Sequence, residues 1–400
     1  MKALLLLLAA AAGAAAAPYV SVATPNGATL AWTMDKGVKI FKLTVEPCQH
    51  EVAPGMTINA WCYNGRTPGP TIEAVEGDRV RILVTNKLPE ATAVHWHSLF
   101  LPNGMDGVSG LTQEGIRPGK TFVYEFTLRQ HGTFMYHSHG DEMVQIALGA
   151  MGFFIVHPKE PEPVDRDFAI MLNEWYVPPG AKTPDPSVMS DFNLFTFNSR
   201  AYPGTAPLLV KKGDRVRLRF GNVGQESHPI HIHGHRFWIT GIDGADVPKS
   251  ARWSATTVDV SPGETRDVEF VADADGDWPL HCHRRHHPMN PMGHGVANML
   301  GVDQSTVEAS VRAQLPEYMA MGRNGMGQME GMAMKLPENT LPMASGDGPY
   351  GPIGMGGMFT VLKVRDSLPA DGSDPGWYRP PKGTVAHELG GEDPAAESDE

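Results

Sequence analysis

The sequence predicts an all-β chain of two Greek-key β-sandwich domains, and three observations carry that prediction. Its 400 residues include 44 Gly and 34 Pro, more than a helix-rich chain tolerates, while 41% hydrophobic and 20% charged residues are globular proportions. Strand-like runs are short, β-branched or aromatic, and bounded by turn formers: Val80 to Val84, Thr121 to Thr127, Val216 to Phe220 and Asp267 to Val271. The chain also repeats itself. Gly77-Asp78-Arg79-Val80-Arg81-Ile82 recurs 136 positions later as Gly213-Asp214-Arg215-Val216-Arg217-Leu218, and the same shift carries His95 and His97 onto His231 and His233. Pro118-Gly119 and Glu125-Phe126 recur 144 positions later as Pro262-Gly263 and Glu269-Phe270, carrying His137 and His139 onto His281 and His283. Two matched stretches with one small change of length between them mean two copies of one domain of roughly 120 to 140 residues.

In chain order, residues 1–17 read as a signal peptide: one positive charge, a short apolar run and small residues up to Ala17, too few for a membrane span. Export to the periplasm or beyond follows, with no membrane association. An oxidising compartment would let Cys48 and Cys62 pair; two buried free thiols are the alternative. The first domain is expected over 37–158. A linker with Pro158, Pro161 and Pro163 among charges leads to the second domain over 165–302. A Met-rich insertion over 303–357 precedes a last strand at 358–366. An acidic tail over 367–400 ends in a run that reads as solvated and disordered.

A formal charge of −12 would repel a phosphate backbone, which argues against nucleic acid as a partner. Only 3 Cys accompany 17 His and 21 Met, a donor set suited to soft or borderline metals. Residues two apart on a strand point to one face, so His95/His97, His137/His139, His231/His233 and His281/His283 each present two imidazoles side by side. A lone buried His is often a satisfied core residue. Four pairs at repeat-equivalent positions are better explained as a metal cluster. Cys282, between His281 and His283, points to the opposite face, where His228, His287 and Met292 can complete a trigonal site with a weak axial thioether.

In His95-Trp96-His97, His137-Ser138-His139, His228-Pro229-Ile230-His231-Ile232-His233-Gly234-His235 and His281-Cys282-His283 continuing to His287 and Met292, the chain resembles the multicopper oxidases. That is the family of laccases, ascorbate oxidase and bacterial copper-tolerance oxidases. The resemblance implies cupredoxin-like domains and four coppers per chain. Type 1 copper would fall to His228, Cys282, His287 and Met292, and type 2 copper to His95 and His231. The type 3 pair would fall to His97, His137, His139, His233, His281 and His283. Asp106, in Asn103-Gly104-Met105-Asp106-Gly107, matches the family's acidic residue beside the cluster, where it would assist proton delivery. The departures are informative. The repeat sets Thr92 opposite His228, Ser138 opposite Cys282 and Met143 opposite His287, so the first domain cannot hold a type 1 copper. Pro288 stands where many members carry an acidic residue after the second type 1 His. Met355, in Gly354-Met355-Gly356-Gly357-Met358-Phe359, competes with Met292 for the axial place.

Nine Met fall between residues 319 and 358, alternating with Gly, Gln, Asn and Glu rather than with other apolar residues. Thioethers hold Cu(I) well, and the segment resembles the Met-rich insertions of bacterial cuprous oxidases; a ligand-free low-complexity loop is the bland alternative. The expected function is therefore a four-electron reduction of dioxygen to water with Cu(I) as preferred reductant and a role in copper tolerance. A laccase acting on phenols and a non-catalytic periplasmic copper-binding protein are the alternatives. A trimeric copper nitrite reductase has no use for eight cluster imidazoles. Joining first-domain pairs to second-domain pairs across a short linker predicts a head-to-tail ring, a homotrimer.

Overall fold

The computed structural model describes residues 19–178, 180–289 and 346–390, with 313–314, 316, 338–339 and 341 between them. The segment 1–17, Met292 and most of the Met-rich insertion lie outside the described residues. The first nine strands are β1 Trp32–Asp35, β2 Val38–Ala53, β3 Met56–Tyr63, β4 Gly69–Val75, β5 Arg79–Asn86, β6 Val94–His97, β7 Thr121–Thr127, β8 Gly132–Ser138 and β9 Met151–His157. One sheet runs β1-β2-β5-β7 with β3 on β2; the other runs β4-β9-β8-β6. The sandwich begins before residue 37: β1 pairs β2, and Val22 and Leu30 are buried.

The second sandwich uses β10 Arg166–Trp175, β11 Leu194–Phe197, β12 Leu208–Lys211, β13 Arg215–Asn222, β14 His228–Ile232, β15 Phe237–Ile242, β16 Ala245–Asp246, β17 Ser254–Ala255, β18 Thr257–Val260, β19 Thr265–Val271 and β20 Gly276–Cys282. A small hairpin, β21 Asp347–Gly348 and β22 Gly351–Pro352, leads to the last strand, β23 Phe359–Arg365. One sheet runs β11-β10-β13-β19-β15-β16 and the other β12-β23-β20-β14-β18. The repeat seen in sequence is a repeat of pairing. Parallel β2/β5 with antiparallel β7 matches β10/β13 with β19, and parallel β4/β9 with antiparallel β8 and β6 matches β12/β23 with β20 and β14.

Alternation explains each core. In β6, Val94 and Trp96 are fully buried while His95 and His97 face outward; Trp96 packs edge-on against Tyr124 and Phe154. Burying an aromatic side chain removes roughly 150–250 Å² from water, about 4–6 kcal/mol of gross gain. The outward residues Met135 and Phe153 form a third core with Ala169 and Met171, which joins the two sandwiches. Polar bonds reinforce that seam: Thr133 Oγ1 donates to Asp267 Oδ1 at 2.6 Å, and Arg219 reaches both Thr133 at 2.7 Å and Asp167 at 2.7 Å. Cys48 and Cys62 form a disulfide, Cα to Cα 6.0 Å, across β2 and β3. The start of the acidic tail is tied down: Lys363 Nζ meets Asp374 at 2.6 Å and lies over Trp377, and Tyr378 N–H donates to Asp277 at 2.6 Å. Among the described residues no helix is long and apolar enough to cross a membrane.

Candidate metal centres

Antiparallel pairing of β6 with β8 sets His95 directly opposite His137. The rings of His95, His97, His137 and His139 then gather with centroids 5.4 to 6.4 Å apart, and His97 Nδ1 lies 3.2 Å from His137 Nε2. Two rings are oriented by the backbone. Nδ1 of His95 bonds the Asp106 carbonyl at 2.8 Å and Nδ1 of His137 bonds the Ser138 carbonyl at 2.9 Å, which puts the lone pair of each ring on Nε2. Burial, then the neighbouring rings, hold His137 neutral by pulling it down to about 3. The Asp106 carboxylate is 3.5 Å from His95 Nδ1. Gly107 keeps that loop against the strand, since at φ +87 a side chain there would collide with the Val94 carbonyl.

The second domain builds the same set. β14 pairs β20 with His231 opposite His281, and the rings of His231, His233, His281 and His283 lie 4.9 to 5.7 Å apart. Nδ1 of His231 bonds the Thr256 carbonyl at 2.8 Å and Nδ1 of His281 the Cys282 carbonyl at 2.8 Å, while His233 Nε2 and His281 Nε2 stand 3.1 Å apart. Among the described residues no ring of one set stacks on a ring of the other. Around the first set Phe100, Leu111 and Met143 are exposed, Leu111 at 81%.

On the inner face of β20, Cys282 is fully buried, with Sγ 3.3 Å from His287 Nδ1 and 4.0 Å from His228 Nδ1; the two Nδ1 atoms are 3.0 Å apart. Outside this triangle, His228 Nε2 meets the buried Glu174 carboxylate at 3.3 Å and His287 Nε2 meets Glu226 at 3.1 Å. With both Nε2–H groups donated to carboxylates, both Nδ1 lone pairs converge on the thiol. Burial pushes that thiol up to about 12 and His287 down to about 2. Three neutral donors crowded with too few hydrogens between them fit a cation of copper type. Phe195 stacks on His287, centroids 4.0 Å apart. Glu226, His286 and His287 also lie within metal-binding reach of one another, beside a cleft lined by Met189, Asp259 and Arg284. Glu174, Glu226 and Phe195 belong to no spacing pattern, and no signal in the sequence marks them.

The counterpart in the first domain is closed by hydrogen bonds. Thr92 Oγ1 donates to Gln145 Oε1 at 2.6 Å, Ser138 Oγ also bonds Gln145, and Gln145 Nε2 donates to Glu90 at 2.7 Å and the Ala91 carbonyl at 2.9 Å. Gln145 takes the place of His287, which corrects the expectation of Met143. Ala150 N–H donates to the Gln145 carbonyl as Met358 N–H donates to that of His287, whereas Met143 is 58% exposed. The short helix α1, Glu142–Gln145, delivers the glutamine seven residues after Ser138, against five from Cys282 to His287.

Comparison with known proteins agrees with this geometry. Multicopper oxidase family models match residues 44–161 and 177–300. A copper resistance protein A homolog of Pseudomonas syringae pv. tomato is 42% identical over 137 residues, 34% of this chain and 23% of that protein. Copper resistance protein A of Escherichia coli is 39% identical over 157 residues, 39% of this chain and 24% of that one. The matches thus span about a quarter of these relatives' length. A blue copper oxidase from Nitrosomonas europaea superposes with a TM-score of 0.60 at 27% identity, covering 81% of this chain and 85% of that one. The multicopper oxidase mgLAC gives 0.60 at 28%, covering 83% and 88%. With both halves matched and both built as sandwiches carrying paired imidazoles, the chain belongs to the multicopper oxidase family.

Proposed function

We propose that this chain is an exported copper oxidase that couples four one-electron oxidations of a reductant, preferably Cu(I), to the reduction of dioxygen to water, and so serves copper tolerance. The observation that carries this is the strand His281-Cys282-His283: its thiol lies between His228 and His287 on one face, its imidazoles in the second His set on the other. Copper bound at these sites supplies the one-electron redox chemistry by which four electrons and four protons convert one dioxygen to two waters. His228, Cys282 and His287 would hold the type 1 ion, and the bonds from Cys282 to its two neighbours would join it to the cluster. His95 and His231 are assigned to type 2 copper, and His97, His137, His139, His233, His281 and His283 to the type 3 pair. Asp106, whose carboxylate lies 3.5 Å from His95 Nδ1, would hold a proton for oxygen reduction. The relatives named for copper resistance support the tolerance role, and the disulfide supports an oxidising, periplasmic or secreted location.

Each imidazole set is half a cluster. A head-to-tail homotrimer, in which the first-domain set of one chain meets the second-domain set of the next, completes three clusters and covers Phe100 and Leu111. Metal counting with the visible spectrum, oxygen uptake and sedimentation tests the reading. Four coppers per chain, a Cu(II)-thiolate band, faster uptake with Cu(I) than with a phenol, and a trimer are expected. Absence of copper-dependent uptake makes the chain a copper binder, and a monomer holding the whole cluster removes the ring. Deleting residues 303–343 should lower turnover of Cu(I) far more than that of a phenol.

A further inference from the structure

We propose that the axial donor of the type 1 site is Met358, the residue that leads into the final strand, rather than Met292 or Met355. The inference rests on the type 1 reading above and deepens it. In the antiparallel pair of β20 with β23, His281 faces Phe359, so the next pair inward sets Cys282 opposite Met358. Cys282 N–H donates to the Met358 carbonyl at 3.1 Å, and Met358 N–H donates to the His287 carbonyl at 3.1 Å. One residue therefore bridges the backbones of two donors. Side chains directly opposite across an antiparallel pair share a face, with Cβ atoms about 4.5–5.5 Å apart. Met358 is fully buried and shares one core with Cys282.

Met355 belongs elsewhere. It packs with Tyr202, Phe359 and Val361, and Phe359 and Val361 alternate onto the face opposite to Met358. The intervening Gly357 lets the chain come this close: at φ +54 its Cα lies so near the His287 carbonyl that any side chain would collide with it. The repeat makes the same statement. Ser138 N–H donates to the Ala150 carbonyl at 3.0 Å and Ala150 N–H to that of Gln145 at 2.9 Å, so Ala150 is the counterpart of Met358. The domain with no ion site has a residue with no donor there. A short tether from His287 favours Met292 only weakly, because closure entropy grows as the logarithm of length and β23 fixes Met358 in any case. The chain thus stands at the type 1 site at His287 and again at Met358, on either side of the segment that holds the Met-rich insertion.

The test uses copper-loaded Met292→Leu, Met355→Leu, Met358→Leu and Met358→Gln, read by metal content, visible and electron paramagnetic resonance spectra, and type 1 potential. A thioether bond is weak and long, so its loss alters spectrum and potential without emptying the site. Expected is a raised potential in Met358→Leu alone, a lowered one in Met358→Gln, and wild-type copper content throughout. A shift confined to Met292→Leu or Met355→Leu overturns the assignment in favour of that residue, with Met358→Gln deciding should Met358→Leu not fold. No Cu(II)-thiolate band in the loaded wild-type protein overturns instead the type 1 reading beneath it.

Discussion

Around one strand pair, the two sandwiches fill the same four positions in opposite ways. The second has His228, Cys282, His287 and Met358; the first has Thr92, Ser138, Gln145 and Ala150. In the first, each donor finds an acceptor inside the protein, down to the Gln145 amide on Glu90. In the second, the hydrogens point away, to Glu174 and Glu226, and bare lone pairs are turned inward at 3.0 Å. Buried polar atoms are stable when paired, so the first arrangement is complete within the protein, while the second leaves lone pairs that a cation would pair. Hydroxyls and an amide satisfy one another; two imidazoles and a thiol, with both Nε2–H groups turned outward, leave lone pairs over, which is the arrangement the proposed copper would complete.

The largest expected effect comes from giving the second site the first site's residue. Cys282→Ser should abolish the Cu(II)-thiolate absorption and oxygen uptake entirely, because the thiolate supplies both the band and the electron path, yet leave the fold intact by circular dichroism. Retained turnover in a fully copper-loaded variant would remove the through-bond role of Cys282.

The reverse change acts on stability rather than on redox. Gln145→Leu removes the acceptor that the Thr92 and Ser138 hydroxyls share and the amide on Glu90, leaving the hydroxyls only each other, and should cost about 1–3 kcal/mol in denaturant unfolding while leaving the thiolate band unchanged. Met143→Leu, at an exposed position, should stay within about 0.5 kcal/mol. Equal losses in the two variants would return Met143 to the place now given to Gln145.

That pair of variants also marks where the sequence stops being legible. The His pairs were readable because strand alternation has a fixed period of 2 and the repeat kept them in register, and β23 was readable as Met358 to Val364 from its own composition. Gln145 was not, because the two-residue difference between Ser138–Gln145 and Cys282–His287 falls in a loop, where spacing carries no register. Backbone bonds to Ala150 and Met358 restore it. Glu174 was silent for a different reason: it sits on β10, 54 positions before His228, and a single carboxylate in a buried strand has no pattern. For the axial residue, counting along the chain offers Met292 and Met355, whereas the proposed Met358 is visible only across the strand pair, opposite Cys282.

Metal removal should separate the two sites by hydrogen exchange. Chelation withdraws the cation that completes the second site, worth about 2.7 kcal/mol at a free-ion concentration 100 times the dissociation constant. Ions would leave the imidazoles beside both strands, but only the Cys282 amide, bonded to Met358, also borders a site on its inner face, so it should lose more protection than the Ser138 amide, bonded to Ala150. Equal loss at both would mean that the inner-face site adds nothing to local stability and that the comparison is one of chemistry alone.

The smallest effect lies where the two copies meet. His131, just before the strand that carries Ser138, bonds Glu76 of its own domain at 3.0 Å and Asp246 of the other at 3.1 Å. Burial works against its charge, but the hydrogen bonds to Asp246 and Glu76 outweigh burial and raise its pKa above the ordinary 6.5. A raised folded value means that the folded state favours the protonated ring. The stabilisation is therefore fully present below pH 6.5 and is lost as pH rises through the folded value. The ring is about a third exposed, so solvent limits the gain to less than about 1 kcal/mol, or roughly 2–4 °C in melting temperature. Between pH 5.5 and 9, the melting temperature of His131→Gln should fall furthest below wild type at the acid end and converge with it at the alkaline end, with the thiolate band of the loaded protein unmoved. A gap that widens with pH would mean that His131 is held neutral and that the seam is closed by packing instead.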